Sequence, residues 1–188
     1  HIIYMAKLII LEGLSRTGKT SIAKDLCDSN LGRIISLKEK MPDHCDLASF
    51  YKGTFFSYDA FFNAFPDETF ILDRSFMSEM VYSKFFGRIP AINNKYIVDF
   101  FIDHDIKLFY LWNEHLDYMK RGPKDRIVYD AKDYARLKTL FEKAFITCSE
   151  LENAQNSHFQ SINTSEYNIE QSIELIKNQI WNKTKNTQ

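Results

Sequence analysis

Eight residues near the start of the chain have the types and spacing that hold a phosphate group. Residues 13–20 read Gly-Leu-Ser-Arg-Thr-Gly-Lys-Thr and satisfy the pattern G-x-x-x-x-G-K-[ST]. Gly13 and Gly18 allow backbone angles that let several N–H groups point at one anion. Lys19 supplies a positive charge for the β- and γ-phosphates, and the hydroxyl of Thr20 can bind Mg²⁺. This run therefore predicts a site for a nucleoside triphosphate and its Mg²⁺ ion.

The residues on either side of this loop favour the same interpretation. An apolar run precedes the loop, and Ile22 and Leu26 lie one helical turn apart after it. In a strand–loop–helix unit the positive end of the helix points at the bound anion. A glycine-rich turn that ends in Lys-Thr by chance is the alternative. The nucleotide-binding residues predicted here are Gly13, Ser15, Thr17, Gly18, Lys19, Thr20 and Ser21.

A second candidate group, Asp73 and Arg74, follows another short apolar run. A carboxylate at the end of a neighbouring strand can hold Mg²⁺, so Thr20 and Asp73 are the predicted metal ligands. Arg74 would face the acceptor side of the same cleft. Taken alone, the pair is also compatible with a helix N-cap followed by a surface cation. The phosphate loop favours the functional interpretation, because ligands share one edge of such a sheet.

A cluster of cations occurs later in the chain, around a Gly-Pro pair that should break a helix. Lys120, Arg121, Lys124 and Arg126 lie within seven residues. A basic segment that closes over a triphosphate would neutralise the charge of the moving group and exclude water. A solvated turn is the alternative. Arg121 and Arg126 are the preferred catalytic candidates, because a planar guanidinium fits phosphate better than an ammonium does.

Alternating strands and helices must position these groups. The predicted strands are Lys7–Glu12, Arg33–Leu37, Thr69–Asp73, Ile106–Leu111 and His158–Ile162. Helical patterns occur at 47–64, 76–86, 92–103, 114–120, 131–151 and 169–180. This alternation predicts an α/β fold with a five-stranded parallel sheet covered by helices on both faces. All strand carboxyl ends then lie on one edge, where ligands bind.

Two segments resemble the thymidylate kinase family. Residues 12–21 are similar to its E-G-x-D-R-x-G-K-S/T loop, and residues 72–82 are similar to its D-R-Y-x-x-S-x-x-x-Y segment. The second segment also resembles the D/E-R-S motif of deoxynucleoside kinases, which share the fold. Strand order, helix order and the basic segment match over most of the chain. The resemblance implies a three-layer P-loop kinase fold, ATP as the phosphoryl donor and Mg²⁺ as the cofactor.

The resemblance also implies roles for individual residues. Arg16 lies where some thymidylate kinases carry a loop arginine that reaches the transferred phosphate, and how it shares this role with Arg121 and Arg126 stays open. Arg74 would position the acceptor phosphate. Asn163 lies in a loop that similar kinases use to cradle adenine, and an N-cap for the final helix is an equal alternative.

The acceptor stays open, because Ser15 stands where thymidylate kinases usually have an aspartate that contacts the acceptor sugar. A deoxynucleoside monophosphate such as dTMP needs no strong base, since its phosphate oxygen is already anionic, and Lys38 or Lys40 would neutralise it. A deoxynucleoside needs a base, and Glu39 could take its 5′-hydroxyl proton. A solvated charge run is the third interpretation of residues 38–40.

An aromatic stripe stands where the family's arginine-bearing acceptor helix has no clear counterpart. Phe55, Tyr58 and Phe62 fall on one face of the predicted helix 47–64. One of these rings could stack on an acceptor base. Burial in the core is the favoured interpretation, because such stripes normally face the interior.

Composition and charge set outer bounds on the function. The 188 residues are 45% hydrophobic and 26% charged, which suits a single globular domain, predicted over residues 5–182. A formal net charge of −1 gives no overall attraction to nucleic acid or membranes. Three widely spaced cysteines favour reduced thiols and a cytoplasmic location. Residues 1–4 are expected to be left from an expression vector, and residues 183–188 to form a frayed tail.

The sequence therefore predicts ATP-dependent phosphoryl transfer to a small deoxynucleotide, with a dTMP-like monophosphate as the first choice. A deoxynucleoside kinase that uses Glu39 is the runner-up. A kinase acting on a 5′-hydroxyl or modified base of a polynucleotide is disfavoured by the net charge. A non-catalytic nucleotide-binding module is disfavoured because Lys19, Thr20 and Asp73 occur together with the basic segment. Association into a homodimer stays open.

Overall fold

The central element of the fold is a sheet of five strands in which every neighbouring pair is parallel. The computed structural model describes residues 6–36, 46–121, 128–151 and 157–181. The strands are β1 Lys7–Gly13, β2 Arg33–Ser36, β3 Thr69–Asp73, β4 Asp105–Trp112 and β5 His158–Asn163. Their order across the sheet is β2-β3-β1-β4-β5. The predicted five-stranded parallel sheet is thus confirmed.

Helices occur in the described residues at the predicted places, and only their ends differ. They are α1 Lys19–Asp28, α2 Leu47–Ala64, α3 Phe76–Phe85, α4 Asn94–Asp103, α5 His115–Lys120, α6 Ala131–Ser149 and α7 Ile169–Trp181. The start of α4 shows why the ends move. The side chain of Asn93 accepts a hydrogen bond from the Tyr96 N–H at 2.9 Å, so the cap lies inside the predicted range.

The two faces of the sheet bury two separate apolar clusters. Successive residues of β1 point to opposite faces, so Leu8 and Ile10 join one cluster while Ile9 and Leu11 join the other. The larger cluster packs under α2, α3, α4 and α6, and the smaller one under α1 and α7. Strands covered on both faces explain the continuous apolar runs in the sequence. The predicted three-layer α/β fold is confirmed.

The aromatic stripe of α2 lies mainly in the core, as expected. Phe55 and Phe62 are buried in the larger cluster, where the Phe62 ring lies 5.0 Å from that of Phe70. Tyr58 is half-buried and packs against the same cluster. None of these three side chains lines the pockets described below.

The sheet register brings the candidate groups together. Leu11 of β1 pairs with Asp73 of β3, and the Arg74 N–H donates to the Leu11 carbonyl at 3.0 Å. The loops after β1 and β3 therefore leave the same edge of the sheet side by side. Among the described helices, none is both long enough and apolar enough to cross a membrane.

Candidate active site

Two glycines in the left-handed region shape the loop between β1 and α1, and the first of them lies against β4. Gly13 has φ +123°, and a Cβ added there would lie 2.0 Å from the carbonyl oxygen of Leu111. Gly18 has φ +87° at the N-cap of α1, and no side chain caps this helix. A helix start without a side-chain cap, placed directly after such a loop, is the geometry expected for phosphate binding.

A cavity of about 810 Å³ opens over this loop, and we call it the triphosphate pocket. Its walls combine the phosphate loop, the loop after β3, the end of α5 and the start of α7. The residues predicted from sequence that line it are Ser15, Arg16, Thr17, Gly18, Lys19, Thr20, Ser21, Asp73, Arg74 and Arg121. Asn168, Ile169 and Glu170 complete the lining and were not predicted.

The side chain of Lys19 lies across the phosphate loop. Its ammonium donates to the Leu14 carbonyl and, at 3.0 Å, to the Thr17 hydroxyl, which itself donates to Leu14 at 2.9 Å. Lys19 is only 5% exposed, although its loop lines a cavity. The charge is therefore held beside the loop amides, where a phosphate would need it.

Thr20 and Asp73, the two predicted metal ligands, are in direct contact. The Thr20 hydroxyl donates to Oδ2 of Asp73 at 2.7 Å, and Asp73 is 2% exposed. A hydroxyl and a carboxylate are the hard oxygen ligands that Mg²⁺ prefers, and Mg²⁺ is commonly held by one or two protein groups plus substrate phosphates. This pair therefore fits the predicted ion.

Arg121 joins three segments at the rim of the triphosphate pocket. Its guanidinium donates to the carbonyl of Arg16 at 2.9 Å and to the carbonyl of Thr164 at 2.6 Å. Arg16, with φ +61°, lies over the Tyr118 ring at 4.2 Å and donates to the Tyr118 carbonyl at 3.0 Å. Both arginines are thus placed at the pocket. Arg126, the third predicted cation, lies outside the described residues.

Asn163 organises the loop after β5 but does not line the triphosphate pocket. Its side-chain oxygen accepts from the Ser165 N–H at 3.0 Å, and its side-chain NH2 group donates to the Glu166 carboxylate at 2.8 Å. The alternative interpretation of Asn163 as the cap of α7 is wrong, because Asn168 accepts from the Gln171 N–H at 2.8 Å. The predicted contact of Asn163 with adenine stays a prediction.

Arg74 lies where the triphosphate pocket meets a second cavity. Its backbone has φ +78°, and one guanidinium nitrogen contacts the Gly13 carbonyl and the Ser78 hydroxyl, each at 3.1 Å. The same nitrogen lies 3.4 Å from the Tyr82 hydroxyl, and the other lies 3.5 Å from that of Ser15. Burial opposes the charge, but Tyr82 and nearby carboxylates outweigh it, so the pKa of Arg74 is raised.

The second cavity, of about 340 Å³, is here called the acceptor pocket. Its lining residues are Leu47, Tyr51, Arg74, Ser78, Glu79, Tyr82, Phe86 and Arg88. The Tyr82 and Phe86 rings stack at 6.3 Å, with Phe86 54% exposed. One wall is therefore aromatic and open to a flat ligand.

A carboxylate–guanidinium pair lines another part of the acceptor pocket. Both terminal nitrogens of Arg88 bind Glu79, at 2.5 Å and 2.6 Å, and the Ala91 N–H donates to Glu79 at 3.0 Å. The hydrogen bond to Glu79 raises the pKa of Arg88. The side chain of Glu79 is 1% exposed and that of Arg88 is 22% exposed, so the guanidinium is the part of this pair that a ligand can reach.

Glu12, at the end of β1, is fully buried beneath the phosphate loop. Its carboxylate accepts from the N–H and hydroxyl of Ser75 and from the N–H and hydroxyl of Ser78, at 2.5–3.0 Å. Burial raises the pKa of Glu12, although Ser78 and Arg74 act in the opposite direction. Glu12 therefore couples β1 to the start of α3.

The sequence prediction missed Glu12, Glu79 and Arg88 as functional candidates. A signal existed for Glu79, because residues 75, 78, 79, 82 and 86 share one helical face and carry Ser, Ser, Glu, Tyr and Phe. Arg88 follows the end of α3, where no periodic pattern applies. Glu39, Lys38 and Lys40, which were predicted near the acceptor, lie outside the described residues.

Comparison with known proteins identifies the fold. No family model and no curated protein matches the chain. A thymidylate kinase from Candida albicans superposes with a TM-score of 0.68 and 16% identity, over 96% of this chain and 93% of its own. The YorR protein of Bacillus subtilis, solved with phosphorylated GDP, superposes with a TM-score of 0.67 and 20% identity, over 93% of this chain and 95% of its own. A deoxyadenosine kinase from M. mycoides with bound dATP superposes with a TM-score of 0.56 and 18% identity, over 92% of this chain and 98% of its own. The chain thus shares its fold with this thymidylate kinase, this deoxyadenosine kinase and YorR.

Proposed function

We propose that this protein transfers the γ-phosphoryl group of ATP to a deoxynucleoside monophosphate, with dTMP as the first acceptor to test. The observation that carries the proposal is the place of Arg74, which lines both the triphosphate pocket and the acceptor pocket. A guanidinium at this junction can contact the donor phosphates and the acceptor phosphate at once. Phosphoryl transfer depends on such positioning and charge neutralisation.

The donor is held by the phosphate loop. Lys19 and the N–H groups of the first turn of α1 bind the β- and γ-phosphates. Thr20 and Asp73 would hold the Mg²⁺ ion, which when bound neutralises charge on the phosphate oxygens. Arg16 and Arg121 lie at the rim of the same pocket and are the described cations that can stabilise the transferred group.

The acceptor lies in the acceptor pocket, with its base against the aromatic wall. Tyr82 and Phe86 supply flat faces, and the N–H groups of Arg88 that do not bind Glu79 supply hydrogen-bond donors for the base edge. The acceptor phosphate then points towards Arg74 and the phosphate loop. No general base is needed for this acceptor, because its attacking oxygen is already anionic.

A deoxynucleoside acceptor is the second candidate, and one observation favours it. Glu79 compensates the charge of Arg88, so among the described residues of the acceptor pocket Arg74 is the cation that remains to neutralise an acceptor phosphate. In this case Glu39 is the proposed base for the 5′-hydroxyl proton.

Measurement of ADP release with Mg·ATP tests both candidates. The panel contains the four deoxynucleoside monophosphates, the four deoxynucleosides and a short oligonucleotide. Turnover with monophosphates alone supports the first candidate, and Glu39→Gln should then leave the rate unchanged. Turnover with deoxynucleosides, abolished by Glu39→Gln, supports the second. Turnover with the oligonucleotide alone, or with no acceptor, contradicts both.

Lys19→Ala is expected to lower kcat by about 100-fold or more, because the variant lacks the positive charge next to the transferred group. Lys24→Ala is the matched control, since Lys24 is exposed on α1 and does not line the triphosphate pocket. ADP release and thermal unfolding are measured for both variants. Wild-type turnover in a folded Lys19→Ala protein would contradict the assignment of the triphosphate pocket.

A further inference from the structure

We propose that Glu12 is a positioning residue for the acceptor pocket, acting on Arg74 through the hydroxyl of Ser78. The proposal rests on the proposed function, because it concerns the site that receives the acceptor. Glu12 itself lines neither the triphosphate pocket nor the acceptor pocket. Any effect of Glu12 on the acceptor must therefore pass through its neighbours.

The hydrogen bonds of Glu12 divide between its two carboxylate oxygens. Oε1 accepts from the Ser75 N–H at 2.6 Å, the Ser75 hydroxyl at 2.9 Å and the Ser78 N–H at 3.0 Å. Oε2 accepts from the Ser78 hydroxyl at 2.5 Å. Ser75, at the N-cap of α3, makes no side-chain cap of its own. Oε1 thus takes the place of a cap for α3, while Oε2 holds one hydroxyl.

That hydroxyl leads to Arg74. Because the Ser78 proton is donated to Glu12, a lone pair of the same oxygen is left to accept from the Arg74 guanidinium at 3.1 Å. Arg74 also donates to the Gly13 carbonyl at 3.1 Å. The two shortest contacts of the guanidinium are therefore to the phosphate loop and to a hydroxyl whose direction Glu12 sets, while its contacts with Tyr82 and Ser15 are longer, at 3.4 and 3.5 Å.

Charge acts in the same sense as the hydrogen bonds. Glu12 and Asp73 are carboxylates whose attraction favours the charged form of Arg74. Replacing Glu12 by Gln would place an amide donor opposite the Ser78 hydroxyl or opposite the donors of Ser75. In either orientation one of these hydrogen bonds must reverse or break, and the negative charge is lost.

The chain offers a matched pair of variants. Ser75→Ala and Ser78→Ala each remove one hydroxyl that donates to Glu12, but only Ser78 contacts Arg74. Dissociation constants for dTMP and for thymidine are measured by calorimetry, and kcat and KM are measured separately for acceptor and ATP. Glu12→Gln and Ser78→Ala should weaken acceptor binding or acceptor kcat/KM by about tenfold or more. Ser75→Ala should change either value less than about twofold, and KM for ATP should move little in all three variants.

A double-mutant cycle separates positioning from a purely structural role. In an Arg74→Ala background, Glu12→Gln should weaken acceptor binding no further, because the residue through which it acts is gone. Full additivity of the two changes would overturn the proposal, as would equal effects of Ser75→Ala and Ser78→Ala. If Glu12→Gln does not fold, Ser78→Ala takes its place in the cycle with Arg74→Ala, because Ser78 also lines the acceptor pocket and only non-additivity with Arg74 shows that it acts through that residue. If the wild type binds dTMP or thymidine without turnover, the proposed function is wrong, but calorimetry with the variants still tests the role of Glu12. If the wild type binds neither compound, the proposal for Glu12 is wrong as well.

Discussion

Arg74 adopts a backbone conformation that residues with side chains rarely use, with φ +78° where β3 leads into α3. Such a conformation costs about 1–3 kcal/mol and persists only where the surroundings hold it. Its N–H donates to Leu11, and its guanidinium contacts Gly13, Ser15 and Ser78. This backbone conformation thus places the side chain where it lines both pockets.

Asp73 gives a direct test of the predicted Mg²⁺ site. Asp73→Asn keeps the shape that accepts the Thr20 hydrogen bond at 2.7 Å, but it replaces a charged ligand by a neutral one. The Mg²⁺ concentration for half-maximal ADP release should rise about tenfold or more. Asp67→Asn is the control, because Asp67 is exposed before β3. Identical Mg²⁺ titrations for the two variants would contradict Asp73 as a ligand.

Glu12 should make the stability of the protein depend on pH. Burial raises the pKa of Glu12 above its ordinary value of 4.5, so the folded state binds this proton more tightly than the unfolded state does. The wild type should therefore gain stability relative to Glu12→Gln as the pH falls from above the raised pKa to the ordinary value. Below that value the difference should level off. Urea unfolding of both proteins at several pH values measures this difference in the free energy of unfolding. A wild type that loses stability relative to Glu12→Gln on acidification would contradict the raised pKa.

At the scale of elements, the site depends on how closely loops and strands approach each other. The phosphate loop can lie against β4 only because Gly13 has no side chain. The helix face of α3 then brings Ser78, Glu79 and Tyr82 to the acceptor pocket. The cap that holds this helix comes from a carboxylate of β1 rather than from its own N-cap residue.

Two glycines should respond in opposite ways to the same substitution. Gly13→Ala has a disallowed φ and a Cβ 2.0 Å from the Leu111 carbonyl, so it should lose at least about 2 kcal/mol of stability. Gly53→Ala, in the interior of α2, places its Cβ in open space and should gain about 0.5–1 kcal/mol. Urea denaturation measures both free energies of unfolding. A stable Gly13→Ala protein would mean that the loop does not pack against β4 as described.

The two pockets are neighbours in the molecule, because Arg74 lines both. A ligand that spans them should therefore bind more tightly than ATP or the acceptor alone. ATP plus a deoxynucleoside monophosphate carries four phosphates in all, and ATP plus a deoxynucleoside carries three. Adenosine and deoxythymidine joined by five phosphates therefore match the first pair with one phosphate to spare, and the same nucleosides joined by four phosphates match the second pair with one to spare.

Thermal unfolding with each of these two compounds distinguishes the acceptor classes. The better-matched compound should give the larger increase in Tm, because the free energy of unfolding rises with ligand affinity at a fixed ligand concentration. A ligand at 100 times its Kd raises the free energy of unfolding by about 2.7 kcal/mol. The five-phosphate compound is expected to be the better one. Equal shifts for both compounds and for ATP alone would contradict a shared acceptor pocket.

Much of the fold was predictable because local patterns carry it. Continuous apolar runs predicted the strands, since parallel strands are buried on both faces, and 3.6-residue periodicity predicted α2 at Leu47–Ala64. The phosphate-loop pattern predicted most of the lining of the triphosphate pocket, because consecutive residues of one loop contact one ligand. The acceptor pocket was not predicted, because its walls come from α2, α3 and the segment after α3.

The order of strands and helices, the phosphate loop and the placement of a lysine, a threonine and an aspartate at one sheet edge follow from the order of residues alone. Short-range periodicity and the rule that parallel strands end together are sufficient for these features. The contacts of Glu12 with Ser75 and Ser78 follow only from tertiary packing, because these serines lie 63 and 66 positions away along the chain. The pairing of Arg88 with Glu79 was likewise visible only in the tertiary structure. Such contacts depend on the packing of β1 against α3 and on the path of a loop, and neither leaves a repeating pattern in the order of residues.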